Sequence, residues 1–321
     1  MTIVIPKTVP VMRTPSLRAQ RSNPGSLRGS SLDCFAALAM TVGETPRTQE
    51  CTPSSRTLST TPPASAPVTR VGRGTPATTI GPSSARSRGV TAATILRALI
   101  EHPQAAGDPL ALTVNYCAPI AKGPFDLDLR LVKANRSSQH WSVELSQGGG
   151  EVATLATAVF AERRPSWEHR VAQYPETKPF EQTLPFPNIK ASWANQYEFR
   201  FVEGEMRLGP PQAELDSTYS KLWISDREPR KLDMPSLMSM SDAFFGRIFH
   251  ARRELVPFGT VSLTTYFHTD TEELAAEDIT RVLATADSKI MHRSYADQNA
   301  ELWSPNGRLL ATTTQIAYFK A

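Results

Sequence analysis

Cysteine is scarce in this sequence. Its three cysteines, Cys34, Cys51 and Cys117, are odd in number, and only Cys117 lies beyond residue 88. That excludes a disulfide framework and any cysteine zinc cluster, and a reducing, cytoplasmic setting is the default expectation. Long apolar runs are also lacking, since none approaches the roughly 20 residues that a membrane helix requires. CFAALAMTV (34–42) is too short and too far along the chain for a secretory signal. The six histidines, at 102, 140, 169, 250, 268 and 292, show no metal-ligand spacing. GGGE (148–151) lacks the following helix that a phosphate loop needs. Neither a metal nor a cofactor is expected.

Acids and aromatics are missing from the first 88 residues in particular. This segment holds eleven Lys+Arg against three acids, eleven of the 26 prolines and one aromatic, Phe35. It therefore carries +8, and the remaining chain carries −4 against a total of +4. Such a segment cannot bury enough apolar surface to offset the entropy of ordering it. The expectation for 1–88 is a disordered basic tail or non-native coding sequence; SLRAQRSNPGSLRGSSLDCFAALAM resembles a translated bacterial intergenic repeat. Its composition also suits a transit peptide, but the scattered prolines interrupt the amphipathic helix one would need. The body shows no basic cluster, so nucleic-acid binding is not expected.

From Gly89 periodic structure begins. VTAATILRALIEHP places Ala92, Ile95, Leu96 and Leu99 on one helical face, with Pro103 as the stop. LALTVNYCAP, FDLDLRLV, QHWSVELSQ and VATLATAVFA follow as strands, the last two separated by the turn signal GGG. After a proline-rich stretch the order recurs. NQYEFRFVEGEM and STYSKLWISD read as strands, and SLMSMSDAFFGRIF (236–249) reads as one helix with Pro235 at its first turn. GTVSLTTYFH, DITRVLATADSKI, SYADQNAELWS and LLATTTQIAYFK then read as strands, with SPNG (304–307) as the last hairpin turn. One helix set against an antiparallel sheet, twice in tandem, is the expected α+β architecture. The expected organisation is a tail over 1–88, a first unit over 89–163, a linker over 164–191 and a second unit over 192–321.

The two copies differ in polar residues. Asp242 lies within the mostly apolar second helix, where a carboxylate is costly to bury unless it is hydrogen-bonded or kept neutral. The first helix has no counterpart. Gln315 stands on the final strand where the first copy has Thr157, and Thr260 opens the strand after the second helix. A hydroxyl, a carboxylate and an amide offering both donor and acceptor form a set able to fix a water. An acid at the helix edge and an ordinary strand threonine are the plain alternatives.

SDAFF with Asp242, TVSLTTYFH (260–268) and NGRLLATTTQ ending at Gln315 give the chain from about Gly89 to Ala321 a family resemblance. It resembles the acyl-CoA thioesterase II family, whose members fold as a double hotdog. The resemblance implies hydrolysis of acyl-CoA without a covalent intermediate. Gln315 and Thr260 would orient the water, while Asp242 would orient it or accept its proton. A backbone N–H near the start of a central helix would receive the developing oxyanion. It also implies an acyl-CoA substrate and self-association through the sheets. A non-catalytic acyl-thioester binder and an acyl-thioester hydratase or dehydratase using His268 are the alternatives on this fold. The family leads into its first helix with a strand and a glycine pair. Here GTPATTIGPSSARSRG (74–89) holds one glycine of that pair, with VTRVGRG (68–74) as a remnant strand candidate. The first hotdog is expected to lack its first strand, through a shift of coding frame before Gly89.

Overall fold

The computed structural model describes residues 69–74, by backbone alone, and 88–121, 123–189, 193–207 and 214–320. The first half runs β1 (Thr69–Gly74), α1 (Arg88–Ile100), β2 (Asp108–Tyr116), β3 (Phe125–Ala134), β4 (Ser138–Ser146) and β5 (Val152–Ala161). Residues 162–179 have no regular element, and single 3-10 turns occupy Phe180–Gln182 and Ala194–Gln196. The second half runs β6 (Tyr197–Glu203), β7 (Ser220–Asp226), α2 (Met234–Met240), α3 (Arg247–Arg252), β8 (Phe258–Phe267), α4 (Thr271–Glu277), β9 (Arg281–Asp287), β10 (Met291–His292), β11 (Tyr295–Trp303) and β12 (Leu309–Phe319).

All the strands join one antiparallel sheet in the order β1-β3-β4-β5-β2-β8-β12-β11-β9-β7-β6, with β10 paired to β11. The order repeats across the junction. In each half the first strand after the helix pairs with the last strand of that half, which is followed by β4 and β3 in the first half and by β11 and β9 in the second. The halves meet where β2 pairs with β8, Val114 opposite Leu263 and Thr113 opposite Thr264. There the Thr113 and Thr264 hydroxyls lie 3.0 Å apart.

Alternation decides which side chains enter the core. On α1 the expected face, Ala92, Ile95, Leu96 and Leu99, is fully buried. Phe125, Leu127 and Leu129 of β3 face the same core as Trp141, Val143 and Leu145 of β4. Burying each Leu, Ile or Phe contributes roughly 1.5–3 kcal/mol, so this continuous cluster is what holds the helices to the sheet. Linker residues cross the other face of the second half. Ala172, Tyr174 and Phe180 pack on Trp223, Leu283 and Trp303, and the Trp223 indole donates to the Lys178 carbonyl at 2.9 Å.

Two expectations are corrected. The run 236–249 is not one helix. Pro235 does lie in the first turn, and Asp233 with Ser236 forms a capping box, but α2 ends at Met240 and α3 starts at Arg247. The break has identifiable causes. The Ser241 hydroxyl turns back to the Met238 carbonyl (2.8 Å) and meets Thr265 (2.8 Å), the local competition that weakens helices at serine. Ala243 N–H then bonds Met240 O, a tightened i,i+3 turn. Phe245 is drawn aside into contact with Phe186, Trp193, Phe199 and Phe201. Gly246 is extended at the start of α3.

The second correction is that the first strand is not lacking: β1 falls on the remnant strand candidate VTRVGRG (68–74). The first sheet has its edge strand: Thr69–Gly74 pairs antiparallel with β3, with Val71 opposite Leu127. The open edge of β3 presents unpaired N–H and C=O groups, and a proline-free six-residue stretch satisfies them through its backbone. The expected disordered or non-native tail otherwise falls, over 1–68 and 75–87, outside the described residues.

Candidate active site

Asp242 lies in the break after α2, against the first turn of α1. Gly89 is the reason the two elements approach so closely. A Cβ added at Gly89 would come within 2.6 Å of the Ser239 carbonyl oxygen and 3.1 Å of the Asp242 Cβ. The Gly89 N–H donates to the Asp242 carboxylate, and the Arg88 guanidinium is its nearby positive charge. Both favour the ionised acid, as does the amino end of a helix. Burial outweighs them and raises the Asp242 pKa from the ordinary 3.8 to about 7. At neutral pH this group therefore exchanges a proton readily, a property suited to a general base.

Tyr116, at the end of β2, closes another side. Its hydroxyl donates to the Arg88 carbonyl at 2.8 Å. Burial first and the Asp242 charge second push its pKa well above the usual phenol value, and Arg88 partly opposes them. It is a neutral hydrogen-bond donor that fixes the first residue of α1.

Thr260 and Gln315 are brought into direct contact. Thr260 is the third residue of β8 and Gln315 lies on β12, both buried, and the Thr260 hydroxyl donates to Gln315 Oε1 at 3.0 Å. Register explains the meeting: Leu263 pairs with Gln315, and a bulge between Ile316 and Ala317 sets Thr260 opposite Ala317. The bulge puts the extra residue, Val261, on the exposed side and leaves Thr260 facing inward. With Oε1 engaged by Thr260, the Gln315 Nε2 is left to donate to another group.

Two links join Asp242 to this pair. Arg88 reaches from Asp242 to the backbone just before Thr260, where its Nη2 lies 3.0 Å from the position of a Cβ at Gly259. Ser241 bonds Thr265, and the Thr265 hydroxyl donates to Thr313 at 3.4 Å, two residues along β12 from Gln315. No hydrogen bond runs from Asp242 itself to Thr260 or Gln315 among the described residues. The break is held from its far end by Arg247. This buried guanidinium donates to Phe245 O, Thr218 O and the Ser220 hydroxyl, and desolvation pulls its pKa down to about 9.

Sequence reasoning missed Arg88, Tyr116 and Ser241, and noted Gly89 only as one glycine of the family's pair. The one available signal was a glycine opening a helix, which marks a close backbone approach. His268 is not brought to this cluster. It is exposed, and its Nε2 lies 2.9 Å from the hydroxyl of Thr312, which alternates away from the inward-facing Thr313 and Gln315. A groove of about 590 Å³ opens between the linker and the outer side of the second half, lined by Tyr219, Tyr266, Lys289, Glu301 and Thr314 among others. It includes none of Asp242, Thr260 and Gln315, so its size does not make it the site of this chemistry. Among the described residues no helix is long and apolar enough to cross a membrane.

Comparisons with known proteins agree with this architecture. The family described as acyl-CoA thioesterase N-terminal domain matches residues 89–161, and acyl-CoA thioesterase C-terminal domain matches 168–319. A solved hot dog protein of unknown function from Alicyclobacillus acidocaldarius is 37% identical, with a TM-score of 0.70, over 75% of this chain and 90% of that one. The tesB protein of Mycobacterium avium subsp. paratuberculosis is 17% identical with a TM-score of 0.59 over 75% and 90%. The acyl-CoA thioesterase II TesB2 of Mycobacterium marinum is 18% identical with a TM-score of 0.58 over 74% and 90%. These last two likenesses carry the fold alone. No curated protein matches the chain.

Proposed function

Because this chain belongs to the double-hotdog acyl-CoA thioesterase family, we propose that it hydrolyses acyl-CoA thioesters to the free acid and coenzyme A, using Asp242, Thr260 and Gln315. The observation that carries the residue assignment is the Thr260–Gln315 hydrogen bond, linked through Arg88 and through Ser241, Thr265 and Thr313 to the Asp242 segment, whose carboxylate has its pKa raised by burial to about 7.

In this reading the Gln315 Nε2 and the Thr260 oxygen hold a water, and Asp242 in its ionised form accepts the proton as the water attacks the thioester carbon. The C–O bond forms as the carbonyl π pair moves onto oxygen. The tetrahedral intermediate then expels the CoA thiolate, and the proton held on Asp242 is available to it. No acyl-enzyme forms. General-base assistance of this type contributes about 10²–10⁴-fold. The oxyanion is assigned to the amino end of α1, whose dipole favours negative charge. Arg88 lies there as well and stabilises both the ionised base and the developing charge.

The test is CoA thiol release from acyl-CoAs of graded chain length by wild type, Thr260→Val and Gln315→Ala. The proposal expects release by wild type and a loss of at least tenfold in kcat for each variant. Acyl-CoA binding without release would instead identify a non-catalytic binder, and full activity in both variants would remove the pair from the mechanism.

A further inference from the structure

We propose that Gln298 determines acyl specificity in this site by hydrogen-bonding an oxygen substituent, a hydroxyl or carbonyl, on the acyl chain of the substrate. The inference rests on the thioesterase reading above and names its substrate class: acyl-CoAs with an oxygenated chain. Gln298 lies on β11 directly opposite Gln315 of β12. Side chains of directly opposite residues share a face, with Cβ atoms about 4.5–5.5 Å apart. Whatever occupies the Gln315 amide is therefore within reach of Gln298.

Two features separate Gln298 from ordinary core. It is 4% exposed, and neither its Nε2 nor its Oε1 has a hydrogen-bond partner among the described residues. A buried amide with nothing to bond is costly, and such groups in native proteins call for an explanation. Its inward-facing neighbours are also small. Ala296 and Ala300 flank it on β11, and Thr313 and Ala317 flank Gln315 on β12. The amide thus lies among short side chains on its own strand and beside its partner on β12. An acyl group whose thioester carbon sits at Gln315 would bring its next few carbons past Gln298. A site that hydrogen-bonds a substrate hydroxyl discriminates strongly against the analogue lacking it, because its own polar group is then left unpaired.

The test uses matched pairs, butanoyl- and 3-hydroxybutanoyl-CoA and hexanoyl- and 3-hydroxyhexanoyl-CoA, with wild type and Gln298→Leu. Wild type is expected to favour the hydroxylated member in kcat/KM by at least tenfold, and Gln298→Leu to reduce that ratio by tenfold or more. A ratio within twofold of wild type in the variant overturns the proposal and leaves Gln298 with an ordered water only. Gln298→Met is read in the same way where Gln298→Leu does not fold. Calorimetric titration of non-hydrolysable thioether analogues of the same pairs measures discrimination without turnover. Failure of hydrolysis and failure of the Gln298 role are then separate results: preferential binding of the hydroxylated analogues that is lost in the variant supports the inference even in a protein that releases no CoA.

Discussion

Replacing Asp242 by asparagine tests the electrostatics of the site without relying on turnover. Native Asp242 has a pKa of about 7, above the ordinary 3.8. Between about pH 4 and 7 the folded protein therefore holds a proton that the unfolded chain has released. The stability this confers is fully present below pH 4 and is lost as pH rises through 7. A gap of about three units corresponds to roughly 4 kcal/mol. The carboxylate is not wholly cut off from solvent, so about half of that, roughly 2 kcal/mol, is the expected effect. For a folded body of this size, each kcal/mol moves Tm by about 2–4 °C. Asparagine keeps the shape and can accept from the Gly89 N–H, but it does not ionise. The measurement is Tm of wild type and Asp242→Asn by calorimetry from pH 4 to 9. The difference between them is expected to shift by about 4–8 °C in favour of the variant between pH 4 and 8, then to level off. Parallel curves across that range would refute the reasoning.

Four other outcomes follow from the same structure. The kcat/KM of wild type should rise about tenfold per pH unit below 7 and flatten above it, because only ionised Asp242 accepts a proton; a pH–rate profile measures this. Gly89→Ala should lower kcat by at least tenfold, because the added Cβ meets the fixed Ser239 carbonyl and displaces α1 from Asp242; thiol-release kinetics on the folded variant check it. Leu96→Ala removes a fully buried side chain under the sheet and should cost about 2–5 kcal/mol in urea unfolding. Arg247→Met strips the donors from Thr218 O, Phe245 O and the Ser220 hydroxyl and should cost on the order of 3 kcal/mol by the same measurement.

Much of the fold is legible in the sequence because one face of each element is buried and the other is not. Ala92, Ile95, Leu96 and Leu99 at helical spacing, and the alternation of FDLDLRLV and LLATTTQIAYFK, report which side meets the core. Gln315 was also legible, as a polar residue on the inward phase of a strand. What local pattern could not carry is the fate of Asp242. The apolar run around it reads as a continuous helix, but Ser241 is claimed by Thr265 of β8 and Phe245 by aromatics from the linker side. Those contacts are made by residues 24 and more positions away in the chain, and they break the helix at the carboxylate. Gly89 against Ser239 is of the same kind, since a close approach between two halves leaves no periodic trace. The edge strand β1 falls on the remnant strand candidate VTRVGRG, which is only weakly marked in the sequence because its pairing depends on the backbone edge that β3 offers, and not on its own side-chain pattern.

The central claim is that Asp242 acts as the base for water attack on an acyl-CoA thioester. Its most direct measurement is the single-turnover rate of CoA release at pH 8 by wild type and Asp242→Asn at saturating acyl-CoA. The account predicts a drop of about 10²–10⁴-fold in a variant at least as stable as wild type at that pH. Equal rates in the two proteins would contradict it.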